Sequence, residues 1–131
     1  MIVDSSAVIA ILQQESDALI LFEKLRDAAP VSMSAATLLE TAIVVDAKRD
    51  ATASSELDRF LNRVKMSFVP VDEKQARIAR QAYRDFGKGS GHRARLNFGD
   101  CFAYAAAKAL DEPLLYKGTD FGETDVRSAL S

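Results

Sequence analysis

Four acidic residues stand out by their position relative to apolar sequence: Asp4, Glu40, Asp100 and Asp120. Asp4 directly follows the β-branched pair Ile2-Val3, and Asp120 comes just after the apolar run at Leu114-Leu115-Tyr116. In an open α/β sheet the carboxyl ends of the strands form the ligand crevice, so both acids are expected there. Glu40 has Ala36, Ile43, Val44 and Ala47 at −4, +3, +4 and +7. That stripe predicts an inward carboxylate, where an isolated charge is costly. Asp100 has Ala103, Tyr104 and Ala107 at +3, +4 and +7, and follows Asn97 by three residues. The same spacing suits a helix cap, in which free amides and the helix dipole favour a carboxylate.

Convergence of the four would need compensation. Two carboxylates about 5 Å apart repel by roughly 3 kcal/mol at an effective dielectric near 20. Only Asp120 has a Lys or Arg close by in sequence. An all-carboxylate site suits a hard cation, Mg²⁺ or Mn²⁺. Zn²⁺ does not fit a chain with one Cys and one His, which lacks the softer ligands that metal takes. Sites of this kind act on phosphate esters, polarising the phosphoryl oxygen, activating a water and stabilising the leaving alkoxide.

The elements that must carry these residues alternate along the chain. Strands are expected at Ile2-Val3, Val31–Met33, Ser67–Val71 and Leu114–Lys117. Between them, Ser6 is placed to cap a helix through Ala7–Gln14, and Ser16 or Asp17 to open a second. Ser34 is placed to cap a third helix, running to about Lys48. Leu57, Phe60, Leu61 and Val64 give a helical stripe, Asp72 opens a helix to about Phe86, and Asn97 caps one to about Leu110. Pro70 marks the end of a strand or an edge. Strands separated by helical crossovers predict an α/β fold in a single domain over 1–131. Its core is a central parallel sheet of four to five short strands, flanked by helices on both faces.

Composition narrows the class without naming a partner. The 131 residues are 48% apolar and 27% charged, which excludes disorder, collagen and coiled coil. The longest apolar runs, Ala7–Leu12 and Cys101–Ala107, fall well short of the roughly 18 residues of a membrane span. No basic segment precedes Asp4, and a lone cysteine suits a reducing compartment, so a cytoplasmic location is expected. The net charge of −2 argues only against a strongly basic nucleic-acid coat.

The local charge is more uneven. Arg77, Arg80, Arg84, Lys88, Arg93 and Arg95 face only Asp85, whereas Asp111, Glu112, Asp120, Glu123 and Asp125 face only Lys117. The basic stretch reads either as a solvated face or as a track for phosphates, with Arg93 and Arg95 best placed to touch a substrate. His92, in a glycine-rich loop, reads as a mobile surface residue, and Cys101 as core packing. Gly87-Lys88-Gly89 follows a helix and lacks the flanking residues of a Walker loop.

The segments Ile2-Val3-Asp4-Ser5-Ser6-Ala7, Ser34 to Glu40, Leu96-Asn97-Phe98-Gly99-Asp100-Cys101 and Leu115-Tyr116-Lys117-Gly118-Thr119-Asp120-Phe121 resemble the PIN-domain family. More narrowly they resemble the VapC-type toxins of bacterial toxin–antitoxin pairs. The resemblance spans essentially the whole chain; each motif alone is weak, and the set of four is specific. It implies a Mg²⁺-dependent endoribonuclease, with Mn²⁺ able to substitute, that cleaves RNA and arrests translation. It also implies a VapB-like antitoxin partner and a homodimer. By that resemblance Asp4, Glu40, Asp100 and Asp120 form an acidic quartet that holds the metal, Asp4 and Asp100 most directly. Ser6 and Thr119 match supporting hydroxyls, and Asp125 is a possible extra acid. Two other readings stand beside this one: a PIN-like binding module without activity, and a Mg²⁺-dependent phosphoacceptor domain. The second would favour an Asp-x-Asp motif, where position 6 here is Ser.

Overall fold

The computed structural model describes residues 1–131. Its elements run β1 (Ile2–Val3), α1 (Ser5–Leu12), α2 (Ala18–Asp27), β2 (Ser32–Ser34), α3 (Ala35–Asp46), α4 (Ala51–Arg63), β3 (Ser67–Val69), α5 (Glu73–Phe86), α6 (Phe98–Ala109) and β4 (Leu114–Leu115). A 3₁₀ turn follows at Phe121–Glu123. All four strands are parallel, in the order β3-β2-β1-β4. The sheet therefore has four strands, the lower number expected, and β1 is interior. β3 is an edge strand that stops just before Pro70, a residue with no amide to continue a ladder.

Alternation along two-residue strands divides the core between two faces. Ile2 and Leu114 pack with Ala82, Leu96, Cys101, Ala103, Tyr104 and Ala107 on the side of α5 and α6. Val3 and Leu115, one residue later in each strand, pack with Val8, Leu21, Leu25, Met33, Leu57 and Phe60 on the side of α1, α2 and α4. Fully burying each large side chain of this kind contributes about 1.5–3 kcal/mol. No helix is long and apolar enough to cross a membrane.

Side-chain caps fix where the helices start. Asp4, Ser34, Asp50, Asp72 and Asn97 each accept a hydrogen bond from an amide in the first turn of the helix that follows. Two sequence expectations shift here. The cap of α1 is Asp4, whose carboxylate reaches Ser6 N at 3.0 Å, so Ser6 lies inside the helix instead of opening it. The strand expected at Val31–Met33 falls one residue later, at Ser32–Ser34, because Ser32 is the residue that pairs with Ile2 and Ser67.

The face that α3 buries also differs from its apolar stripe. Thr37, Thr41 and Val45 point into the protein, whereas Leu39 and Ile43 are 61% and 59% exposed. Thr41 tolerates burial because its hydroxyl donates to the Thr37 carbonyl at 2.7 Å, one turn back.

Candidate active site

Backbone bonds bring three chain segments to the carboxyl end of β1. Asp4 N donates to the Leu115 carbonyl at 2.9 Å, tying β1 to β4 just where both strands end. Ser6 Oγ accepts from Lys117 N at 3.0 Å, which pins the start of the loop carrying Thr119 and Asp120 beside α1. Helix α6 begins with a capping box: Asn97 Oδ1 accepts from Asp100 N at 2.8 Å, and Asp100 Oδ2 accepts from Asn97 N at 3.0 Å.

Asp4 and Asp100 thus share a division of labour. One oxygen of each carboxylate caps a helix, and the other is free. In Asp4, which is 2% exposed, that other oxygen, Oδ1, is buried without any hydrogen-bond partner. A buried unpaired carboxylate oxygen is costly in a native fold and marks a place where something else supplies the partner.

Glu40 sits between the two helix starts. Ser5 Oγ donates to its Oε1 at 3.0 Å, and its Oε2 lies against Gly99 in the first turn of α6. The carboxylate is half-buried, as expected, but for a different reason than its neighbours suggested. The residues at +3 and +4, Ile43 and Val44, are exposed, and Glu40 turns inward from the edge of the Thr37–Thr41 face.

The electrostatics connect the acids to one another. Burial is the main cause that raises Asp4 above the ordinary carboxylate range. The Ser6 hydroxyl and amide oppose it and the charge of Glu40 adds to it. Burial likewise raises Glu40, against the Ser5 hydrogen bond and reinforced by Asp100. Asp100 is pushed up to about 6, chiefly by burial. The Asn97 amide and the charge of Lys88 lower it, while Asp4 and Asp120 raise it further. None of the four acids enters an ion pair. Lys117, three residues before Asp120, spends its ammonium on Glu15 and Asp17.

The quartet is therefore within mutual electrostatic reach and unneutralised, but not contracted. No three of its side chains stand as a ready-made metal-ligating group. Asp120 and Thr119 are exposed at the rim. The donor set nevertheless fits a hard dication: only oxygens, an excess of negative charge, and one buried oxygen lacking a partner. A cleft of about 700 Å³ lined by Phe22, Leu25, Pro30, Arg63, Val64 and Lys65 lies at the opposite end of the sheet and holds none of these acids.

The remaining sequence candidates fall elsewhere. Asp125 is committed to Tyr104 and Lys108. Arg93 pairs with Glu123 at 2.5 Å, while Arg95 is exposed and makes no ion pair. Of the basic stretch, Lys88 is the cation whose charge reaches Asp100, a role its position in a glycine-rich loop did not announce. His92 lies with its ring edge-on to Phe86 at 5.0 Å and its Nδ1 accepting from Ala94 N at 3.0 Å. It is half-buried, where a surface residue was expected. Cys101 is buried in α6 as expected, and burial lifts its thiol to about 11. Ser5 and Gly99 were not singled out in the sequence, and both touch Glu40.

The chain belongs to the PIN-domain family, which it matches over residues 1–127. Within the family it is most like VapC proteins. It is 52% identical over 130 residues to Ribonuclease VapC28 of Mycobacterium tuberculosis, covering 99% of this chain and 98% of that one. Among solved structures it resembles Mycobacterium tuberculosis VapC20, described as a sarcin–ricin loop cleaving toxin. The TM-score is 0.73 at 16% identity, over 95% of each chain. It also resembles VapBC2 from Rickettsia felis bound to a promoter DNA fragment, with a TM-score of 0.72 at 17% identity over 93% of this chain and 90% of that one.

Proposed function

We propose that this protein is a Mg²⁺-dependent endoribonuclease, the toxin of a type II toxin–antitoxin pair, in which Asp4, Glu40, Asp100 and Asp120 hold the metal. The observation that carries the reading is the buried, unpartnered Oδ1 of Asp4, in a group of electrostatically coupled acids none of which forms an ion pair. The VapC relatives, named ribonucleases and matched over nearly their whole length, support the RNA substrate. A bound hard dication supplies charge neutralisation and Lewis acidity toward a phosphodiester. The chain's own part is positional. Asp4 and Asp100 are fixed by capping bonds, so each offers one oriented oxygen instead of a freely rotating carboxylate. Ser5 orients Glu40, and Ser6 holds the loop on which Thr119 and Asp120 approach from the solvent side. In this reading Arg95 and Lys88 meet substrate phosphates, Lys88 being the cation whose charge reaches Asp100, and Arg93 leaves Glu123 when a phosphate competes; an exposed ion pair is weak enough for that.

The solved toxin–antitoxin complexes with this fold support a VapB-like antitoxin as partner. Exposed Leu39, Ile43 and Val44 on α3 and Phe98 at the start of α6 supply apolar surface for that partner or for a homodimer.

Incubating the purified protein, freed of antitoxin, with labelled RNA in Mg²⁺, Mn²⁺ or EDTA tests the proposal. Cleavage in either metal that is lost in EDTA and in Asp4→Asn is expected. A protein that leaves every RNA intact would sink it, in favour of an inactive binding module. That second reading draws on the absence of a preassembled three-ligand group. The phosphoacceptor alternative is disfavoured by the near-complete burial of Asp4, which leaves little access for a phosphodonor.

A further inference from the structure

Gly99 has no backbone reason to be glycine. It is the second residue of α6, and its φ is not positive, unlike that of Gly89, Gly91 and Gly118. Glycine anywhere in a helix costs backbone entropy relative to alanine, in the first turn less than in the interior. What a side chain at this position would meet is the carboxylate of Glu40. A methyl group on Gly99 would overlap Oε2 and stand 2.6 Å from Cδ and 3.1 Å from Oε1. The other oxygen, Oε1, is held from the opposite side by the hydroxyl of Ser5, the first residue of α1.

We infer that Gly99 and Ser5 are positioning residues, which act through Glu40: the empty side-chain position on α6 is the seat of Oε2, and Ser5 is the anchor of Oε1. Residues at two helix starts thus clamp one carboxylate, Ser5 by a hydrogen bond and Gly99 by the space its missing side chain leaves. The clamp fixes where the Glu40 carboxylate sits, beside the start of α1 that Asp4 caps and the start of α6 that carries Asp100. A displaced carboxylate forfeits that position without disturbing the core, because the end of a glutamate side chain swings freely.

The functional half of this inference rests on the nuclease reading, and the structural half does not. Thermal unfolding of four metal-free proteins tests the structural half: wild type, Gly99→Ala, Glu40→Ala and the double variant. Alanine at 99 in the Glu40→Ala background is expected to raise Tm by roughly 1–3 °C, a first-turn share of the helix-propensity gain. In the wild-type background the gain is expected to be smaller, because Glu40 must leave its seat. Equal gains in both backgrounds overturn the inference. A Gly99→Ala protein that fails to fold overturns it as well, since its premise is a side chain free to move aside.

On RNA, Gly99→Ala is expected to lower kcat roughly 10- to 100-fold with KM nearly unchanged, and Ser5→Ala to lower it less. An unchanged kcat in Gly99→Ala defeats the inference. If the wild type cleaves no RNA, the nuclease reading falls alone, and the unfolding cycle still decides where Glu40 is seated.

Discussion

The chain holds clustered carboxylates in two regions and treats them in opposite ways. Behind α6, Asp125 accepts from the Tyr104 hydroxyl at 2.5 Å and from Lys108 Nζ at 3.1 Å. Burial pushes Asp125 up, but those two partners outweigh it and hold the acid below its ordinary range. At the end of β1 burial acts the same way on Asp4, Glu40 and Asp100, and nothing outweighs it. Cations are not lacking: Lys117 lies between β4 and Asp120 and is turned toward Glu15 and Asp17 instead. One region is a finished structural cluster. The other is a group of acids without an ion-pair partner.

The widest contrast between the regions is expected in catalysis. Removing a ligand that supplies about 3 kcal/mol of transition-state stabilisation slows a reaction by roughly 100-fold. Asp4→Asn is therefore expected to reduce RNA cleavage by at least that factor, and Asp125→Asn to leave it within about twofold. Comparable losses in both would erase the distinction.

Metal is the next lever. Mg²⁺ at about ten times its dissociation constant stabilises the native state by roughly 1.4 kcal/mol, which for a chain of this size is an upward Tm shift of about 5 °C. Asp100→Asn is expected to shrink that shift and Asp125→Asn to preserve it. A Tm indifferent to Mg²⁺ in the wild type counts against the cation.

Without metal the two regions should diverge in sign. Asp100→Asn relieves repulsion and is expected to raise Tm by roughly 3 °C near pH 7.5. Asp125→Ala removes a largely exposed pair and a tyrosine bond and is expected to cost about 1 kcal/mol. A lower Tm in Asp100→Asn would assign that residue chiefly to its cap.

The smallest effect is the pH dependence. Asp100 binds its proton more tightly folded than unfolded, with a folded value near 6 against an unfolded value of about 3.9. Its stabilising contribution is complete below about pH 4 and is lost as pH rises through about 6. Asp125, held low, contributes in the other direction, and its share is lost as pH falls below about 4. Metal-free wild type is thus expected to lose stability between about pH 4 and 6 in chemical denaturation. Asp100→Asn should flatten that slope, and an unchanged slope would deny Asp100 its raised proton affinity.

Much of this was legible in the sequence because it depends on local rules. A β-branched pair followed by Asp4, and Asn97 three residues before Asp100, specify a strand end and a helix start without reference to the rest of the chain. Helical spacers of ample length specify parallel pairing.

What failed depends on tertiary contacts. The stripe around Glu40 misled because Thr37 and Thr41 take the buried face, and threonine counts as polar in any periodicity. Ser6 was misread as a cap because Asp4, two residues earlier, already fills that place. Gly99 carried no local signal at all, since only Glu40, fifty-nine positions away, explains it. The expectation that Arg93 points at substrate met Glu123, a partner visible only once the 3₁₀ turn folds back.

One feature of the short sheet reaches further. The amide of Asp4 is a rung between β1 and β4, bonded to Leu115 at 2.9 Å, while its side chain faces the acids. Opening the mouth of the crevice by parting those two strands must release that hydrogen to solvent. Deuterium uptake at this single amide is therefore a built-in clock for breathing at the crevice, and occupancy by a cation or by RNA should slow it before any global change is visible.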